Sequence, residues 1–222
     1  MRWLPLQFQL DGNPKSPGLL LVYGTRFPDY FGDMRKYVTD AELTEFSRSK
    51  NFHQGNTRIA CRAVLRYLLC KYANLNADSV IIRKNKNGKP YLHHSDVHFN
   101  VSHNDSSFLI AISSFGRVGV DIEIPDDRES EPELLDYAFS EHEKRELESG
   151  TPFLEIWTRK EALLKAVGVG LLNNLWQINT LSLIQKWGLH GFTFTCPNNE
   201  IASLVTRTGY TKIQTCFVSL HH

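Results

Sequence analysis

The chain has 222 residues, enough for one large domain or two small ones. Its apolar fraction of 41% is ordinary for a folded protein, and a formal net charge of +1 excludes a chain-wide grip on polyanions such as nucleic acid. No apolar run approaches the roughly 20 residues that cross a bilayer, and Met1-Arg2-Trp3-Leu4-Pro5-Leu6 is too short and too mixed for a signal peptide. The expectation is a cytoplasmic protein with neither a membrane nor a nucleic-acid partner. Cys61, Cys70, Cys196 and Cys216 form no C-x-x-C pair, so they predict reduced, mostly buried thiols rather than a zinc site.

The first helix is predicted over 56–72, with Ala60, Ala63, Val64, Tyr67 and Leu68 as its apolar stripe. Arg58, Arg62 and Arg66 recur every fourth residue beside that stripe, and no acid lies within the helix. Like charges at this spacing repel by a few tenths of a kcal/mol per pair, roughly. An acidic segment elsewhere, or a bound anion, should offset them. Asn87-Gly88-Lys89-Pro90 reads as a turn. Val97, Phe99 and Val101 alternate with His98, Asn100 and Ser102, as in a half-buried strand. The turn 103–107 then leads into a buried strand over 108–112, which makes a hairpin. Phe115-Gly116-Arg117 turns the chain into a further strand over 118–124.

An acidic loop follows Pro125. Helices are predicted over 134–140, over 141–148 with Ser140 as N-cap, and from Pro152 to Val167 with Thr151 as N-cap; Gly168 and Gly170 stop the last. Leu181-Ser182-Leu183, 192–194, 201–205 and 215–220 alternate like strands. The strand and helix order predicts an α+β protein of two similar α/β halves packed together. Charge is segregated as well. From Arg58 to His94 there are eight Lys or Arg and one acid; from Asp121 to Glu148 there are twelve acids and three bases. These are two solvated faces, or a basic and an acidic wall around a charged ligand.

Three short motifs carry the chemistry. In Gly119-Val120-Asp121-Ile122-Glu123 the strand period of two puts both acids on one face. They are solvated on an exposed edge strand, or they share a cation, because unscreened like charges there are unfavourable. In Trp157-Thr158-Arg159-Lys160-Glu161-Ala162-Leu163-Leu164-Lys165, residues Trp157, Glu161 and Lys165 share one helical ridge beside a buried stripe of Phe153, Ile156, Leu163 and Val167. Glu161 and Lys165 form a surface ion pair, or Glu161 serves a metal and Lys165 a phosphate. Three carboxylates, with places left for water and phosphate, suit Mg²⁺. In Phe99-Asn100-Val101-Ser102-His103, a hydroxyl and an imidazole sit where a strand opens into a polar turn and can donate to a phosphate.

These motifs, in this order and followed by Gly168-x-Gly170-Leu171, resemble the Sfp-type 4′-phosphopantetheinyl transferases. The resemblance runs from about Arg58 to Leu171; the first 50 residues and the last 45 match only in length and strand-like character. It implies halves related by a pseudo-two-fold axis, meeting near Phe115-Gly116, in a monomer. It implies transfer of 4′-phosphopantetheine from coenzyme A to a serine of an apo acyl, polyketide or peptidyl carrier protein, with release of adenosine 3′,5′-bisphosphate. On this resemblance Asp121, Glu123 and Glu161 fall on the Mg²⁺ ligands, and Asp121, Glu161 and Lys165 are catalytic. Lys165 also falls on the pyrophosphate lysine. Ser102 and His103 match coenzyme A phosphate contacts, and Gly88, Lys89, Pro90 and Tyr91 the turn beside its adenine and phosphates. Arg62 matches an arginine for the 3′-phosphate end. Phe139-Ser140 and Glu143 resemble an F-S-x-x-E stretch, whereas Arg58 has no motif support and reads as a surface residue. A nucleotide-cofactor pyrophosphatase would use the same carboxylates, but no Nudix-like run of paired glutamates is present. A non-catalytic coenzyme A or carrier-binding module would be expected to have lost one of the three carboxylates or Lys165.

Overall fold

The computed structural model describes residues 4–5, 18–25, 32–49, 51–125, 132–170, 174–207 and 213–218. Strands β1 (Leu4–Pro5) and β2 (Leu19–Thr25) precede helices α1 (Asp40–Ser47) and α2 (Phe52–Ala73). A short ribbon, β3 (Ile82–Lys84) and β4 (Pro90–Leu92), leads to β5 (His98–His103), β6 (Ser107–Ser113) and β7 (Val118–Glu123). Helices α3 (Pro132–Ala138), α4 (Glu141–Glu148), α5 (Phe153–Val167) and α6 (Thr180–Lys186) come next, and β8 (Leu189–Thr195), β9 (Ile201–Arg207) and β10 (Ile213–Val218) close the chain. The content is mixed α and β, as expected.

One sheet runs β1-β10-β2-β6-β5 and a second β7-β9-β8. Strand β10 lies parallel to β2, so the first sheet takes strands from both ends of the sequence. Alternation decides the layering. Leu20, Val22, Phe108, Ile110 and Ile112 face α2, whereas Leu19, Leu21, Tyr23, Leu109 and Ala111 face the second sheet through Val118, Val120, Ile122, Ala202 and Leu204. On its far side that second sheet meets α5 through Val205, Ala162, Leu163 and Ala166. The order of layers is therefore α2, sheet, sheet, α5.

Helix α2 begins four residues before its predicted start because the Asn51 side chain accepts from the N–H groups of His53 and Gln54. Its predicted stripe is buried, and the arginine ridge finds an acidic partner segment. Glu42 of α1 lies 2.9 Å from Arg66 and 3.3 Å from Arg62, and Glu45 lies 3.5 Å from Arg58. Ser140 caps α4 as expected, and Glu143 completes a capping box with it.

Three expectations are corrected. Residues 181–183 are helical, not extended. Asn179 caps α6 by accepting from the Ser182 N–H, and three alternating residues are too few to separate the two periods. The N-cap of α5 is Pro152 rather than Thr151. Phe153 and Val167 are only half-buried, while Thr158 and Lys160 are fully buried, because α5 is covered on more than one side. The acidic loop over 126–131, together with Leu171, Ser219 and Leu220, lies outside the described residues. Cys61 and Cys196 are buried and Cys70 half-buried, all three free thiols; burial pushes the Cys61 thiol up to about 12.

Candidate active site

The layering puts Asp121 and Glu123 under a helix rather than in water. Val118, Val120 and Ile122 of β7 point into the core between the sheets, so the intervening residues point at α5. Gly119 permits the close approach. A Cβ there would collide with the Ala162 carbonyl oxygen and the Ala166 nitrogen of α5. Only a bare backbone lets the helix cross so near that Glu161 and Lys165 come beside Asp121. Gly119→Ala is therefore expected to cost about 1–3 kcal/mol or more from overpacking. The same change should cut activity more than stability predicts, because it lifts the helix off the acids. Thermal melts and turnover measured on one preparation check this.

The other sheet contributes the facing wall. Strand β7 lies at the edge of its own ladder, but the Asn100 side chain of β5 accepts the Val120 N–H at 2.8 Å and seals it to β5. This bond brings Ser102 to Asp121, with Ser102 Oγ donating to Asp121 Oδ1 at 2.9 Å. Lys165 Nζ donates to the same Oδ1 at 2.5 Å and to Ser102 Oγ at 3.1 Å. Asp121 is 3% exposed. The solvated-edge reading of the two acids is excluded for Asp121, and so is a Glu161–Lys165 surface pair, since Lys165 is bound to Asp121 instead.

The charges at this junction are incompletely matched. Among the described residues, Asp121 Oδ2, Glu161 Oε1 and His103 Nδ1 are buried without a hydrogen-bond partner, a costly arrangement unless a ligand supplies one. Burial, and then Asp121, pushes the Glu123 carboxyl up to about 7, while the Trp157 indole N–H that donates to it acts the other way. Burial and Asp121 likewise raise Glu161. Burial, followed by the positive charges of Arg58 and Lys165, lowers His103. Among the described residues no three of His, Cys, Asp and Glu converge closely enough to cage an ion as they stand. The donor set nevertheless suits a hard divalent cation, being all oxygen with two buried oxygens unused.

A cavity of about 360 Å³ opens beside this junction, lined by Gly88, Lys89, Pro90, Glu161 and Lys165 among others. The turn bearing Gly88 is pinned there by Asn87 Nδ2, which donates to the Gly168 carbonyl at 2.8 Å. Lys89 turns inward. Its Nζ donates to the carbonyls of Ala166 and Val118 at 2.9 and 3.2 Å, and burial with Arg117 nearby holds its ammonium down to about 8. It ties the end of α5 to the start of β7. Tyr91 lines an adjoining cavity with Lys89 and Pro90. Arg62 lines none of these cavities and is paired with Glu42.

Sequence reasoning missed two contributors. Arg58 stacks on Phe46 at 4.6 Å and lies near enough to depress His103; its i−4 spacing from Arg62 was visible, its neighbour across the fold was not. Lys160 is wholly buried. It donates to Glu143 at 2.7 Å and to the carbonyls of Ala138 and Leu175 at 2.6 and 2.9 Å. Glu143 also accepts from Thr180 Oγ1 at 2.5 Å. This network fixes α3, α4 and α6 around α5, and so fixes the register that presents Glu161. The F-S-x-x-E stretch thus serves the site from behind.

An acid pair lies under the helix that carries Glu161 and Lys165, and Ser102 and His103 face it from the other sheet, an all-oxygen acid set beside a cationic and a hydroxyl donor. Comparison with known proteins gives the family. Residues 117–204 match a model described as the 4′-phosphopantetheinyl transferase superfamily, and residues 29–115 match one described as 4′-phosphopantetheinyl transferase, N-terminal. The chain is 30% identical over 155 residues to the 4′-phosphopantetheinyl transferase gsp of Aneurinibacillus migulanus, covering 66% of this chain and 64% of that protein. It is 37% identical over 86 residues to the 4′-phosphopantetheinyl transferase AcpT of Salmonella typhi, covering 36% and 43%. It is 29% identical over 132 residues to the L-aminoadipate-semialdehyde dehydrogenase-phosphopantetheinyl transferase of Mus musculus, covering 51% and 42%. Each match spans less than two thirds of the relative's own length. The chain belongs to the 4′-phosphopantetheinyl transferase superfamily.

Proposed function

We propose that this protein transfers 4′-phosphopantetheine from coenzyme A to a serine of an apo carrier protein, releasing adenosine 3′,5′-bisphosphate in a Mg²⁺-dependent reaction. The observation that carries the reading is the pair of buried, unpartnered carboxylate oxygens of Asp121 and Glu161, with Lys165 and Ser102 beside them. Asp121, Glu123 and Glu161 would hold the metal, which when bound would neutralise pyrophosphate charge. Lys165 would exchange its contact with Asp121 for a phosphate oxygen, and Ser102 and His103 would donate from the facing strand. Glu161 takes the proton of the carrier serine as its Oγ attacks the β-phosphorus and the bond to the bisphosphate breaks. Gly88, Pro90 and Tyr91 border the nucleotide. Lys89 acts mainly as the strut at the foot of α5. The halves, 1–115 and 116–222, work as one monomer whose pseudo-two-fold axis passes near Gly116.

Arg58 would serve the terminal phosphate in place of Arg62, a reading supported by its nearness to His103 and by the slightly longer of the two ion pairs, 3.5 Å to Glu45 against 3.3 Å from Arg62 to Glu42. Arg58→Ala is expected to raise KM for coenzyme A about tenfold, the weight of one charge-assisted hydrogen bond. Arg62→Ala should change it less; steady-state kinetics on both variants decide. The activity itself is tested by mass spectrometry of a panel of apo carrier proteins incubated with this protein, Mg²⁺ and coenzyme A. Gain of one phosphopantetheine on any carrier supports the reading, and no gain on any carrier favours a binding module.

A further inference from the structure

The largest of these cavities, about 690 Å³, is not the one beside the acids. It lies at the foot of α5, between the β6–β7 turn and the end of β9. Its floor is apolar, formed by Ala166, Val167 and Leu189, and Trp187 stands at its side with its indole about half exposed. Two guanidiniums line it, Arg117 and Arg207, both exposed. Neither forms an ion pair with any carboxylate among the described residues. Arg207 is laid across Gly116, where an added Cβ would meet its Cδ at 3.3 Å. His98, also in the lining, is lowered by burial and by the positive charges of Lys89 and Arg117, so the cationic character comes from the two arginines.

We propose that this cavity is a second binding site, for a small ligand with a flat apolar body and a single anionic group. The volume falls within the roughly 300–1,000 Å³ usual for small-molecule sites. Trp187 offers a face for the flat body, and the apolar floor of Val167 and Leu189 removes it from water. Two arginines without an ion pair among the described residues can take a carboxylate, sulfonate or phosphate in a bidentate manner. None of the proposed coenzyme or metal residues lines this cavity, although it shares His98, Arg117, Ala166 and Val167 with the adjoining cavity of Lys89, Pro90 and Tyr91. It is nevertheless joined to the first site, because Ala166, in its floor, supplies the carbonyl that holds Lys89 and follows Lys165 directly.

The test uses the full chain and the fluorescent probe 1-anilinonaphthalene-8-sulfonate, with 2-naphthoate and naphthalene as competitors. The expected result is one saturable probe site per chain, displaced by 2-naphthoate far better than by naphthalene and not displaced by adenosine 3′,5′-bisphosphate. The double variant Arg117→Gln/Arg207→Gln, whose exposed side chains carry no fold contact to the acids, should weaken the probe at least tenfold with an unchanged melting temperature. Trp187→Ala should weaken it with the arginines intact. Equal binding by the double variant, absence of saturable binding, or displacement by the bisphosphate would overturn the proposal. The last outcome would place the probe in the nucleotide cleft. The test reads binding only, so its failure leaves the transferase reading standing.

Discussion

Glu161→Gln is expected to lower carrier-protein modification by about 10²–10⁴-fold, the weight of a general base, while leaving the fold intact or slightly more stable. The two effects point in opposite directions for one reason. Glu161 Oε1 is buried without a partner, and its carboxyl is raised by burial and by Asp121. A neutral amide relieves that repulsion but cannot accept the serine proton. The measurement is turnover at saturating coenzyme A and Mg²⁺, beside a thermal melt of the same sample. Turnover near that of the unaltered protein would remove Glu161 from the mechanism, and a lowered melting temperature would remove the electrostatic account.

Lys160→Met is expected to have the largest effect on stability. The ammonium and its partner Glu143 are both fully buried. Removing one charge leaves the other without compensation in the interior, at a cost of about 3–5 kcal/mol. For a chain of this size that corresponds to a fall in melting temperature of roughly 6–20 °C. Removing both together, Lys160→Met with Glu143→Leu, should recover part of the loss, because no isolated charge remains. Thermal melts of the three variants decide between this and a purely steric role, in which the double variant would be worse than either single one. Surviving Lys160→Met protein should also show reduced turnover, since the same network sets the rotation of α5 and hence the aim of Glu161.

Much of the site was legible in the chain. The strand period alone placed Asp121 and Glu123 on one face, the helical period aligned Glu161 with Lys165, and Ser140 stood out as the N-cap of α4. Spacing said nothing about what covers a face. The acids of β7 could have faced solvent, and only the stacking of α5 over Gly119 buries Asp121 and half-buries Glu123. No pattern in the sequence singles out Lys160; its role appears only where α3, α4 and α6 close around it. The arginine ridge of α2 predicted a missing acidic partner, and α1 supplied it. Glu42 and Glu45 of α1 divide the ridge between them, Glu42 lying against Arg62 and Arg66 and Glu45 against Arg58. The misread segment, 181–183, failed because a side-chain cap outweighed three residues of alternation.

The sequence by itself determined the kinds of groups present and the face each occupies on its own strand or helix, because those follow from local geometry with periods of 2 and 3.6. The tertiary structure alone decided which faces meet. The stacking of two sheets sealed by Asn100, and the bare backbone of Gly119 under α5, turned separate motifs into one junction. Burial there then left polar atoms of Asp121, Glu161 and His103 without a hydrogen-bond partner among the described residues, because removal from water leaves only neighbouring groups to supply one.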